Sequence, residues 1–363
     1  MTTTTEPVGR DQSQAALTRG RYRPPVYRSH QYRTVLLVTA AVGILVPTMV
    51  HSRLEQSLVN FWLEYSIMTV GFYVVFGMAG QFAFSQAFMV GLGAYTSAYI
   101  GATQPFWVAF LVAIAFSAAL AAVFALLVRR SSQFYFAVAT LGLSEIGILV
   151  FNQATHFTGL AGQRLNIKSP SLFGYSFDTQ MKFFFLALGL LFAALMVAAF
   201  IERSPVRREA IAVRDKPLVT STLGIPLLKY KIVMYVIGSG IAAAAGSLYA
   251  HWQGVIAPDA FDVDLGIAIF LMLILGGADS KWGALLGAAF YTWVPDYLHS
   301  VAEYKEIVYG GLLVIVVVAL PEGLIGVFDV LKRRLGFNGA VPGGSIWGNG
   351  VVRNLLRRLR RGD

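Results

Sequence analysis

Residues 65–128 read YSIMTVGFYVVFGMAGQFAFSQAFMVGLGAYTSAYIGATQPFWVAFLVAIAFSAALAAVFALLV, 64 consecutive positions without a lysine, arginine, aspartate or glutamate. A soluble domain of that size needs charge on its surface. In hydrocarbon the same composition is favoured, because a charge at the centre of a spanning helix costs roughly 2.5–3.5 kcal/mol on insertion scales. At roughly 20 residues per crossing the stretch provides about three passes. The fold class is therefore all-α and polytopic, since the short alternating segments of a membrane β-barrel are absent.

The rest of the chain extends the same pattern. Hydrophobic residues make up 56% and charged residues 13%, about half the charge typical of soluble domains. Ten apolar segments can be marked, near 34–50, 58–77, 82–101, 106–128, 133–152, 183–201, 230–250, 265–277, 282–298 and 307–326. About ten transmembrane or re-entrant helices are predicted from them. Gly77 and Gly80 interrupt the second and third segments, and Gly276 and Gly277 close the eighth. Broken or re-entrant helices are expected at both places, buried in protein where the freed backbone groups find partners. The predicted organisation is a basic tail at 1–33, a membrane domain at 34–328 with a long internal loop at 203–229, and a second basic tail at 329–363.

The net charge of +10 is concentrated at the ends. Arg10, Arg19, Arg21, Arg23, Arg28 and Arg33 precede the first segment, and Arg353, Arg357, Arg358, Arg360 and Arg361 lie near the other terminus. Tails of this kind anchor against anionic lipid, and nucleic-acid binding is not indicated. With both termini cytoplasmic, the loops carrying Arg129, Arg130, Arg203, Arg207, Arg208, Arg214 and Lys216 fall inside. The loop with Asp259, Asp262 and Asp264 falls outside, in agreement with the positive-inside rule. If 265–298 is a single re-entrant unit, two crossings are lost and both ends keep their side.

Two regions carry functional expectations. In the internal loop, Pro205 opens a short helix that runs through Arg207, Arg208, Ile211, Arg214 and Asp215, and Pro217 stops it. A second short helix ends at Leu223 and Gly224. Either the first helix lies passively on lipid, or it is a docking element that transmits motion from a cytoplasmic partner. The chain has no G-x-x-x-x-G-K-S/T phosphate loop, so energy must come from elsewhere. Within the membrane, Gln81, Ser85 and Gln86 cluster beside the glycines. They serve either a translocation path, where a broken helix offers N–H and C=O groups to a zwitterion, or interhelical packing. Glu145 is an ionisable residue inside a predicted span, a pathway residue or a buried strut, and in either case expected to face protein. No metal site is expected.

At these same segments the chain resembles a known family, the second permease subunit of bacterial branched-chain amino acid ABC importers, a class that includes urea and short-amide systems. The early signature G-x-x-G-Q-x-S-x-G-x-x-x-F-x-G-x-G-A-Y is matched by Gly77, Gly80, Gln81, Phe88, Gly91, Gly93, Ala94 and Tyr95, with Ala83 and Ser85 departing. Tyr135, Phe136, Ala137, Thr140, Leu141, Glu145 and Ile146 repeat the motif Y-F-A-x-x-T-L-x-x-x-E-I. Ser204, Arg208, Ala212, Val213, Arg214, Leu223, Gly224, Ile225 and Lys229 follow the coupling region, although Pro205 and Pro217 depart from it. The resemblance implies a bacterial inner-membrane protein that pairs with a homologous permease subunit. It also implies two cytoplasmic ATPase subunits and a periplasmic substrate-binding protein as partners. ATP and magnesium would bind on the ATPases, with no cofactor on this chain and no enzymatic activity of its own. Branched-chain amino acids are the implied cargo, with urea or a short amide as the alternative. A self-contained secondary transporter is the competing reading from another class, and it requires an ionisable pathway richer than Glu145 alone.

Overall fold

The charge-free run folds as helices separated by a break in the computed structural model. The structure describes residues 30–50, 52–159, 162–172, 175–215, 227–297, 310 and 323–326. Helix α1 spans His30–Met49 and α2 spans Arg53–Phe72. Ser52 starts α2 through a reciprocal capping box: its hydroxyl accepts the Glu55 N–H at 3.1 Å, and the Glu55 carboxylate accepts the Ser52 N–H at 3.2 Å. A π-helical turn, Tyr73–Met78, prolongs α2 to the break. Beyond it come α3 (Gln86–Ile100), α4 (Phe106–Leu127) and α5 (Gln133–Gln153).

An outer loop follows, with a one-turn helix at Thr155–Thr158 and a hairpin of two-residue strands, β1 (Ser171–Leu172) and β2 (Tyr175–Ser176). The hairpin is a small departure from the all-α expectation. Helix α6 is Gln180–Arg203, α7 is Pro205–Asp215 and α8 is Leu227–Gln253. After a 3-10 turn at Pro258–Phe261, α9 (Val263–Gly276) is capped by the Asp262 carboxylate, which accepts the N–H groups of Asp264 and Leu265. Helix α10 is Lys281–Tyr297.

Among the described residues, six helices are long and apolar enough to span a membrane: α1, α2 with its π turn, α4, α5, α6 and α8. Helices α9 and α10 form a bent pair, turned by 117°, that brings the number to seven if it counts as one span. The described helices thus cover nine of the ten apolar segments, as long spans, one short helix and the bent pair. Helix α3 has 15 residues, about 22 Å at the α-helical rise, against a hydrocarbon core of about 30 Å. The segment near 307–326 lies almost wholly outside the described residues, as do both basic tails apart from the start of α1 at His30.

Helices α2 and α8 form the centre, and α3 and α4 pack against α8. Burial follows: 83% of the α2 window is buried inside the chain but only 11% of the α1 window. The α3–α8 crossing is close because glycines meet backbone there. A Cβ on Gly93 would collide with the Ala243 carbonyl, and one on Gly246 with the Val90 carbonyl. Neither obstacle is a flexible side-chain tip, so relief requires the helices to separate. Gly246→Val is expected to lower the yield of monodisperse protein in detergent by about tenfold, at an overpacking cost of roughly 1–3 kcal/mol or more. Size-exclusion chromatography of a fluorescent fusion reads this directly, and a wild-type profile would refute the close crossing.

Candidate functional site: two helix breaks and the helix that bridges them

The first break begins where α2 changes to π winding and ends at Ser85. Gly80 sits at φ +67°, a left-handed conformation that favours glycine. Breaking a helix inside a bundle frees backbone groups that lipid cannot satisfy. Here side chains from two other helices, α5 and α7, take them. The Gly77 carbonyl accepts from the Arg214 guanidinium of α7, and the Gly80 carbonyl accepts from Gln133 Nε2 of α5 at 2.6 Å. The Phe84 N–H donates to Thr140 Oγ1 of α5 at 3.1 Å.

The polar side chains of the break are also engaged. Gln81 Nε2 donates to the Lys231 carbonyl of α8 at 2.8 Å, and the Ser85 hydroxyl shares a 2.6 Å hydrogen bond with Tyr235. Gln86 differs: it is buried beside Gly238, and neither atom of its amide has a hydrogen-bond partner. The break therefore does not present a row of free backbone groups to a passing zwitterion. At these positions they are held within the chain.

The second break lies against the first. Gly277, at φ +114°, ends α9, and a Cβ on Gly77 would collide with the Ala278 carbonyl. Asp279 accepts from Arg214 at 3.0 Å, so one guanidinium bridges the Gly77 carbonyl and the α9–α10 turn. Two residues on, Lys281 donates to Glu202 at 2.7 Å, and the second oxygen of that carboxylate accepts from the Tyr73 hydroxyl at 2.8 Å. Both members of the ion pair are almost wholly buried, with side-chain exposures of 4% and 6%. The end of α6, the π turn and the start of α10 are thereby joined. A cleft lined by Gln81, Arg129, Gln133, Phe136 and Lys231 opens at the same end of the bundle.

Helix α7 occupies the position read as the docking element. Ala210 is buried and Val206 packs on the core, while Arg207 and Ile211 are half-buried. Arg214 points inward to the breaks. The side chains of Arg208 and Asp215, and all of Leu223 and Gly224, lie outside what the structure describes. Gly77, Gly80, Gln81, Ser85, Gln86, Gly276 and Gly277 are all buried. Glu145 is not brought to this site: it is exposed on the outer face of α5, away from the other described residues of the site.

Three groups escaped the sequence reading. Glu64, on α2, has 1% exposure and no hydrogen-bond partner for either carboxylate oxygen. The Glu202–Lys281 pair is the second. The third holds the outer loop: His251 Nδ1 donates to the Lys168 carbonyl at 2.6 Å, so Nε2 accepts from Ser97 at 3.0 Å, and Ser247 donates to Ser97 at 2.6 Å. The sequence signal for His251 was its position directly after the apolar segment ending at Ala250, on the same helix.

The buried helix breaks are thus tied to an amphipathic helix at one end of a polytopic bundle. The chain belongs to the family described as the branched-chain amino acid transport system permease component, whose model matches residues 55–317. It is similar to the high-affinity branched-chain amino acid transport system permease protein LivM of Salmonella typhimurium, with 27% identity covering 80% of this chain and 74% of the relative. It is also similar to LivH of the same high-affinity system in Escherichia coli K12, with 26% identity covering 74% and 93%. A probable branched-chain amino acid transport permease protein LivM from Methanocaldococcus jannaschii is 27% identical over 56% of this chain and 63% of its own length. No solved structure matches the chain.

Proposed function

We propose that this chain is a translocating subunit of an ATP-driven importer of branched-chain amino acids, coupled to its ATPases through α7. The observation that carries the reading is Arg214, which ties the amphipathic helix α7 to both helix breaks within the bundle. A push on α7 reaches the Gly77 and Asp279 segments through that guanidinium. The end bearing α7 also carries Arg129, Arg130, Arg203 and Lys229, whereas Asp178, Asp259 and Asp262 mark the other end. The positive-inside rule puts α7 in the cytoplasm. The partners in this reading are a homologous permease subunit, two ATPases and a periplasmic binding protein.

The test is reconstitution of the chain with its partner permease, ATPases and binding protein in vesicles. ATP-dependent uptake of labelled leucine, isoleucine or valine is expected, abolished when the ATPases are omitted. A binding protein that takes urea and ignores these amino acids would transfer the cargo to urea or a short amide. Solute flux through the chain alone, driven by an ion gradient, would overturn the importer reading.

A further inference from the structure

We infer that the outer face of α5 is the surface on which the second permease subunit docks, with Glu145 accepting a hydrogen bond or ion pair from it. This rests on the importer reading and adds the interface. Helix α5 presents two faces. Thr140, Ser144, Gly147 and Phe151 are buried, and Gly147 and Phe151 meet Phe88 of α3. The opposite face is uncovered: Leu141, Glu145 and Leu149, spaced by four, are all exposed. Only 22% of the α5 window is buried inside the chain.

Exposure alone does not distinguish a protein interface from a lipid-facing surface. Helix α1 supplies the comparison. It is still less covered, with Leu37 and Ile44 exposed, but its window through Thr34–Met49 carries no ionisable group on that face. That surface is content in hydrocarbon. Glu145 lies near the middle of the 21-residue α5, too far from either end to reach the headgroups easily. An uncompensated carboxyl facing acyl chains there is strongly disfavoured, and such groups face protein or a water-filled path.

A second membrane-embedded protein with an N–H or O–H donor at mid-depth would supply that cover. A homologous permease is such a protein, and a cytoplasmic ATPase or periplasmic protein is not. Gly142, on the same face, opens onto empty space, so a neighbouring helix is free to approach closely there.

The chain has no cysteine, so single cysteines can be introduced without background. In the reconstituted complex, L141C and L149C are expected to cross-link to single cysteines on spans of the partner permease, whereas L37C and I44C are not. A bimane label at position 141 should be reached by a lipid-borne quencher in the isolated chain and shielded in the complex. Glu145→Leu, which leaves the partner's donor unmatched, should recover about tenfold less partner permease, and Glu145→Gln, which keeps an acceptor, close to the wild-type amount. An intact complex in which positions 141 and 149 stay uncross-linked and lipid-accessible would overturn the interface. Failure of the wild-type chain to recover any partner permease would overturn the importer reading instead.

Discussion

Arg214→Ala is expected to leave the chain inserted and bound to its ATPases while uptake per ATP hydrolysed falls by at least tenfold. The side chain is 20% exposed and turned toward the helix breaks, so its loss is expected to spare docking. Removing it breaks the charge-assisted hydrogen bond to the buried Gly77 carbonyl, worth roughly 1.5–3 kcal/mol, and a water-screened contact to Asp279. If even about 1.4 kcal/mol of that links α7 to the breaks, the coupled arrangement loses a factor of ten.

The two bonds are not equal. Asp279 is 58% exposed, so its pairing is screened by water, and Asp279→Asn should cost well under threefold. The Gly77 carbonyl has no such recourse. Arg214→Lys keeps the charge but not the fork that reaches both acceptors, and should fall between the two. The measurement is the ratio of leucine uptake to ATP hydrolysis in reconstituted vesicles. An unchanged ratio in Arg214→Ala would remove α7 from the coupling path, and loss of the ATPases on purification would make Arg214 a docking residue.

What the sequence disclosed depended on whether a feature was local. The charge-free run, the glycines at 77, 80, 276 and 277, and the helix opened by Pro205 are patterns over a few neighbouring residues, and the structure has helices and breaks at those places. The destination of a side chain is not local. Arg214 is 137 residues from the carbonyl it satisfies, and Lys281 is 79 from its carboxylate. Nothing in the pattern near Arg214 separates an inward arginine from one facing a partner.

Glu64 was lost for a different reason. It lies inside the segment near 58–77 but borders the charge-free run, and the capping box at Ser52, a full three turns earlier, carries it into the interior. Nine of the ten marked segments are helical among the described residues, but hydropathy cannot tell a full crossing from the 14- and 17-residue arms of a bent pair. Glu145 was expected against protein, and among the described residues it is exposed, which is the observation behind the interface inferred for α5.

The largest effect on stability is expected from Lys281→Met. Removing one member of a buried ion pair leaves the other charge without compensation, at about 3–5 kcal/mol, a large part of a typical folding free energy. Glu202 would keep only the Tyr73 hydroxyl, and one hydrogen bond does not replace an ammonium at 2.7 Å. The variant should aggregate on extraction or melt well below wild type in a thermal-shift assay. Glu202→Leu should fail similarly, since it strands Lys281 and the Tyr73 hydroxyl together. The double variant Lys281→Met, Glu202→Leu removes both charges at once. Replacing a buried pair by apolar residues is frequently neutral or stabilising, so most of the lost melting temperature should return. Transport separates stability from function in that double variant. If the pair merely holds α6 to α10, uptake recovers with the fold; if its geometry registers the two breaks against α7, the protein is stable and uptake stays low. The registering role is the one expected, because α6 runs directly into α7 at Ser204 and Lys281 lies two residues from Asp279, the acceptor of Arg214. A double variant as unstable as the singles would show that the charges are not what holds this corner together.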